Sequence, residues 1–152
     1  MIFRRSNKEY ILKLLKGAIE DLRLAIMKVR VAEGIVNEVR RNKVDKLLLQ
    51  TAFAGFPIPS NFFANMYASS SLESIGKAVK KLRKFKSIVN EKYPHLYVTI
   101  IKDVVDPCID RLNELLSSEE KRSGDEVIKV VNEVSAQLIS IVNYVEEVIH
   151  EY

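Results

Sequence analysis

The sequence predicts an all-α protein: a four-helix bundle with a long N-terminal helix and antiparallel helical hairpin packing. Two long stretches carry apolar residues at spacings that alternate between four and three, the period of a helix that buries one face. Proline, glycine and serine cluster only between such stretches. The 152 residues, 47% hydrophobic and 29% charged, suffice for one core and are too apolar for disorder.

The first helix follows Ile11, Leu15, Ala18, Leu22, Ala25, Val29, Ala32, Val36 and Val39. This is a heptad seam of about four repeats, widened by Leu12, Ile19 and Ile26. Ser6 or Asn7 supplies an N-cap. Ala18, Ala25 and Ala32 recur every seventh residue and form a rail of small side chains, along which a second helix is expected to pair closely and antiparallel. The seam turns polar at Lys43 and Lys46, although helical propensity continues through Leu47–Ala54. The run from Gly55 to Ser60, with Pro57 and Pro59, then stops the helix.

Ser60 or Asn61 is expected to cap a second helix with Leu72, Ile75, Val79, Leu82, Phe85 and Val89 on one face. Its early part, Phe62 to Ser71, is small and polar and leaves the start open; Tyr93 and Pro94 end it. The third segment reads two ways. Tyr97–Ile101 has strand-like composition, whereas Ile101, Val104, Cys108, Leu112 and Leu115 fit a helix. Asp106 followed by Pro107 reads as an N-cap with proline at the first helical position, so a kink or restart is expected there. After a solvated loop over Ser117–Gly124, Ser123 and Glu126 form a capping box for the fourth helix. Its seam is Val127, Val131, Val134, Leu138, Ile141, Val145 and Val148, and the pattern reaches Tyr152. With no internal repeat and no linker, residues 1–152 read as a single helical domain.

The lone cysteine, Cys108, rules out an intrachain disulfide. The basic start, Arg4 and Arg5, leads into Lys8, Glu9, Lys13 and Lys16 rather than an apolar run. A cytoplasmic location without a cleaved signal is expected, with peripheral membrane attachment compatible with it. The longest uncharged stretch, Leu47 to Leu72, contains Gly55, Pro57, Pro59, Asn61 and Asn65, which a bilayer would leave with unsatisfied backbone groups.

No enzyme chemistry is legible. His95 and His150 have no histidine or cysteine partner at ligand spacing. Cys108 reads as a small buried hydrophobe, and the five glycines form no phosphate loop. Asp103, Asp106 and Asp110 read as a solvated acidic face rather than a cation site. The chain is therefore expected to have no catalytic residues, cofactor or metal.

Charge is the stronger feature. Met1–Pro94 holds 19 Lys+Arg against 8 Asp+Glu, net +11, and His95–Tyr152 holds 5 against 12, net −7. Such a split fits a basic surface for an anionic partner, two halves that attract each other, or simply two solvated helix faces that differ in charge. Lys77, Lys80, Lys81, Arg83, Lys84 and Lys86, interleaved with Leu82 and Phe85, form the densest cationic run. On a helix, an apolar stripe flanked by cations suits an anionic membrane surface or nucleic-acid phosphates. It equally suits a helix that packs inward and solvates its charges. Against nucleic acid, no helix-turn-helix and no aromatic platform is present. The seams also offer faces for self-association or a partner helix.

The order of these features resembles the ESCRT-III family, including its archaeal Cdv cell-division members. The basic helix Lys8–Lys46 is similar to the family's first hairpin arm. Ala64, Tyr67 and Ala68 resemble its Ala-x-x-Tyr-Ala string on the second arm, and Leu72–Val79 with Asn90–Pro94 are similar to later helices. Arg111, Leu112 and Leu115 resemble the core of the motif that recruits an AAA ATPase, with Cys108 where that motif prefers leucine. The resemblance implies a non-enzymatic cytosolic protein that assembles on anionic membrane. It also implies basic first helices that face lipid, and an acidic C-terminal half that holds the monomer closed.

Overall fold

The computed structural model describes residues 6–41, 60–117 and 123–149. Four α-helices carry the fold: α1 (Asn7–Arg41), α2 (Ser60–Lys92), α3 (Asp106–Ser117) and α4 (Gly124–Val148). A 3-10 turn (Pro94–Leu96) and a π-helix (Tyr97–Val105) lead from α2 into α3, and no strand occurs among the described residues. The readings over Lys43–Pro59 and Ser118–Arg122, and those on His150 and Tyr152, lie outside the described residues, as does the side chain of Val39.

Ser6 caps α1. Its Oγ accepts the Glu9 N–H at 3.1 Å and its carbonyl accepts the Tyr10 N–H. The seam from Ile11 to Ala32 is buried throughout, with Ile19 and Ile26 beside it, while Val36 is half-buried. At the other end of the chain, Ser123 Oγ accepts the Glu126 N–H at 3.3 Å and starts α4. Val131, Val134, Leu138, Ile141 and Val145 then face the core, whereas Val148 is exposed.

The helices run up-down-up-down. Tyr10 meets Lys84 and Lys28 meets Ser74, so α1 and α2 are antiparallel. Lys8 reaches the Glu146 carbonyl and Glu33 lies against Gly124, so α1 and α4 are antiparallel too. Cys108 meets Gln137 and Arg111 meets Glu133 across α3 and α4. Each helix packs on its two neighbours in a square: α1 on α2 and α4, and α3 on α2 and α4. One contiguous core fills the square, with Phe85, Leu22, Leu82, Ile101, Leu112 and Leu138 among its largest fully buried members.

Of the two readings of Tyr97–Ile101 the helical one holds, as part of a π-helix that buries Ile100, Ile101 and Val105. Two expectations need correction. Asp106 is not a cap, because its φ of −59° and ψ of −47° are already helical and its N–H bonds to the carbonyl of Ile101, five residues back. The wider π turn accommodates Pro107, whose ring in a regular α-helix would press on the carbonyl four residues earlier. Leu72 is exposed, and the inward positions at that end of α2 are held by the buried Ser71 and Ser74. Small polar residues fit there because α1 lies close, and Lys28 Nζ donates to Ser74 Oγ at 2.8 Å and to the Ser70 carbonyl at 3.4 Å.

Candidate functional site

The cationic segment of α2 is built from strong helix formers, and successive side chains turn about 100° around the axis. Ala78, Val79, Leu82, Phe85 and Val89 therefore share the inward face and are buried. The six cations divide by the same rotation. Lys77, Lys80, Arg83 and Lys84 point outward and are exposed, whereas Lys81 and Lys86 fall on the two shoulders of the helix and are half-buried.

Each shoulder cation is committed within the chain. Lys81 crosses to α1, where its stem lies 3.3 Å from the position a β-carbon would take at Gly17 and its Nζ donates to Asp21 Oδ2 at 2.6 Å. On the other shoulder, Lys86 Nζ donates to Asp106 Oδ1 at 2.7 Å. That hydrogen bond, reinforced by the Asp106 charge, holds the Lys86 ammonium above the usual lysine range. The pairing also removes Asp106 from the acidic trio with Asp103 and Asp110.

The outward four are differently placed. Lys84 Nζ stands 5.5 Å from the centroid of the Tyr10 ring while remaining exposed, a cation–π contact across the α1–α2 seam. Lys77, Lys80 and Arg83 have no hydrogen-bond or ion-pair partner among the described residues. Glu73, one turn before Lys77, shares their side of the helix, as does Glu91 near its end, which pairs with Lys92.

On the adjacent helix, Lys13, Lys16, Arg23 and Arg30 are exposed. Lys16 lies 3.6 Å from Glu146, and Arg23 lies 3.6 Å from Glu20 one turn earlier. Lys16, Arg23 and Arg30 stand on the edge of α1 toward α4, where Lys16 meets Glu146 and the two arginines share a groove with Asn132, so the cations of α1 and α2 lie on adjoining faces of the square. The exposed Asp103, Asp110 and Glu114 of the π–α3 segment belong to the opposite pair.

The alanine rail lies inside the molecule. Ala18, Ala25 and Ala32 are buried, on the side of α1 from which Asp21 and Lys28 reach α2. A feature that the sequence reading passed over lies on the outer side of α1: Leu24, Met27 and Val31 are 37%, 54% and 39% exposed. Their spacing of three and four was visible as a second apolar stripe, opposite the stronger seam. A shallow groove beside it is lined by Arg23, Ile26, Met27, Arg30, Val31 and Asn132.

Cys108 is buried, and its thiol donates to Gln137 Oε1 at 3.0 Å. Burial pushes the thiol up to about 11, which keeps it protonated and poorly nucleophilic. His95 is exposed, with its ring edge-on to Tyr93. Among the described residues, no group of three or more His, Cys, Asp or Glu side chains is placed to hold a metal ion, and no helix is long and apolar enough to cross a membrane. The segment compared with an ATPase-recruitment motif is packed into the bundle: Leu112 and Leu115 are buried and Arg111 pairs with Glu133. No family model, curated protein or solved structure matches the chain.

Proposed function

We propose that this chain is a non-enzymatic helical assembly protein that associates with anionic membrane surfaces through the outer side of the α1–α2 pair. The observation that carries the reading is the outward quartet Lys77, Lys80, Arg83 and Lys84, on a helix whose opposite face is committed to the core. These cations can meet an external anionic surface without disturbing the fold.

The magnitudes say what kind of attachment this is. Each cation near acidic lipid contributes about 1 kcal/mol, so the quartet supplies about 4 kcal/mol, a millimolar affinity for one molecule. Stable attachment then needs several copies acting together or a second contribution from the same surface. Assembly at the cytoplasmic face of a membrane fits the first route, and the resemblance to ESCRT-III points the same way.

Co-sedimentation with vesicles tests the reading. The protein should pellet with phosphatidylserine-containing vesicles and not with phosphatidylcholine alone. Binding should fall with added salt, as surface electrostatics do, and in the variant Lys77→Glu, Lys80→Glu, Arg83→Glu, Lys84→Glu. Equal pelleting with both vesicles, or with neither, removes the proposal. A salt-sensitive gel shift without vesicle binding would assign the same face to nucleic acid.

A further inference from the structure

We infer, resting on the membrane reading above, that Leu24, Met27 and Val31 of α1 form an apolar insertion patch that enters the headgroup–acyl boundary of an anionic bilayer. The three occupy positions i, i+3 and i+7 and therefore one side of the helix, the side turned away from the core. Leucine, methionine and valine, 37%, 54% and 39% exposed, stand next to one another on the solvent face. Met66 of α2, 48% exposed, lies one turn from Ser70, whose carbonyl takes Lys28 Nζ. The antiparallel register carries it toward the Val31 end of the same patch.

The surroundings select the occupant. Arg23 and Arg30 flank the patch on α1, and Lys77 is the α2 cation level with it, since Lys28 meets Ser74 and Asp21 meets Lys81. Lys80 and Lys84 follow along α2 toward the N-terminal end of α1, where Lys13 is exposed and Lys16 is paired with Glu146. Among the exposed carboxylates around it, Glu20 is paired with Arg23, Glu146 of α4 with Lys16, Glu73 stands beside Lys77 and Glu9 lies one turn before Lys13. An apolar centre in a cationic frame is the surface chemistry of a helix that lies in an anionic interface. A second copy that docks by the same face would bring two cationic frames together. Three side chains exposed over 37%, 54% and 39% of their surface fall far short of the roughly 800 Å² per partner that a stable dimer buries. A bilayer needs no such area, because a few side chains entering about 5–10 Å suffice.

The test uses the full chain with Cys108→Ala and one reporter cysteine that carries an environment-sensitive fluorophore, at Met27→Cys or, as a control, at Val98→Cys. Val98 is 60% exposed on the π-helix, on the anionic side. With phosphatidylserine-containing vesicles, the label at position 27 should shift to the blue and brighten, and the label at position 98 should not. Neither should respond to phosphatidylcholine vesicles. In parallel, the unlabelled variant Leu24→Ser, Met27→Ser, Val31→Ser should bind anionic vesicles about tenfold or more weakly with its helical circular dichroism intact. If the protein pellets with anionic vesicles while the label at position 27 stays in water, or while the serine variant binds as tightly as the parent, insertion is overturned and the electrostatic reading stands. If nothing pellets, both fall. An equal shift with neutral vesicles overturns the requirement for charge.

Discussion

Lys81 Nζ lies 2.6 Å from Asp21 Oδ2, and this bond ties α1 to α2 where the Asp21 carboxylate is almost wholly buried. The lysine is more than a third exposed in its side chain and the aspartate hardly at all, so the two partners are not equivalent. The ammonium can rehydrate freely if the bond is lost, whereas the carboxylate, with 13% of its side chain exposed, can do so only in small part.

Lys81→Met therefore strands a buried charge and should destabilise the protein by about 1–3 kcal/mol. Asp21→Asn should cost less, because the amide oxygen still accepts from Lys81. Replacing both, as Asp21→Leu with Lys81→Met, should lie closer to the parent than Lys81→Met alone. Urea unfolding of the three variants measures this order, and a double variant less stable than both singles would contradict it.

Cys108 should be silent to thiol reagents. At pH 8, iodoacetamide should modify it only when the protein is unfolded in guanidinium, since its thiol is buried and pushed up to about 11. The same displacement makes stability depend on alkaline pH. Below pH 9.0 the thiol is protonated in both states and nothing is lost. As pH rises from there toward 11, the unfolded chain sheds its proton first, which favours unfolding by about 2–3 kcal/mol across the window. Cys108→Ala should flatten that decline, which urea midpoints at pH 8, 9 and 10 can follow.

Glu133 carries the opposite dependence. The hydrogen bond from Arg111 and its charge hold the Glu133 carboxyl below the usual glutamate range. Its contribution is complete above pH 4.5 and disappears as pH falls through the lowered folded value. The pair is at the surface, so the effect is small and weakens with salt. Glu133→Gln should make the acid limb of the stability curve slightly shallower at low salt and leave it unchanged at high salt.

Ser123→Ala should cost about 1 kcal/mol, because it leaves the Glu126 N–H without its 3.3 Å acceptor at the start of α4. Thermal unfolding reads the loss, and Ser123→Asp should recover it by accepting the same N–H and favouring the helix dipole.

The seams and this cap were legible because both are local. A heptad from Ile11 to Ala32 fixes an inward face whatever lies opposite it, and Ser123 with Glu126 needs no distant partner. The π register was not legible, because Tyr97–Val105 is rich in β-branched residues and the choice depends on Pro107 together with the burial of Ile100 and Ile101. The division of the six α2 cations was hidden for a related reason. Spacing gives their angles around the helix, but only packing brings Asp21 to Lys81 and Asp106 to Lys86. Ser71 and Ser74 read as the polar start of a helix until α1 is seen to press against them.

Stability measurements should separate the core from the outer stripe of α1, although both are apolar. Phe85 is fully buried, so Phe85→Ala removes a ring from a packed interior and leaves a cavity, at a cost of about 3–5 kcal/mol. Leu24, Met27 and Val31 already meet solvent over a third to a half of their surface. Single changes to serine there lose little transfer free energy and open no void, so each should stay within about 0.5 kcal/mol of the parent. Urea unfolding in the absence of lipid makes the comparison. If the three outer substitutions cost as much as core truncations, the stripe is buried by the protein itself and has no free face to offer a membrane. If they leave stability unchanged, the fold does not explain why apolar residues stand in that position, and the explanation lies with what the surface meets.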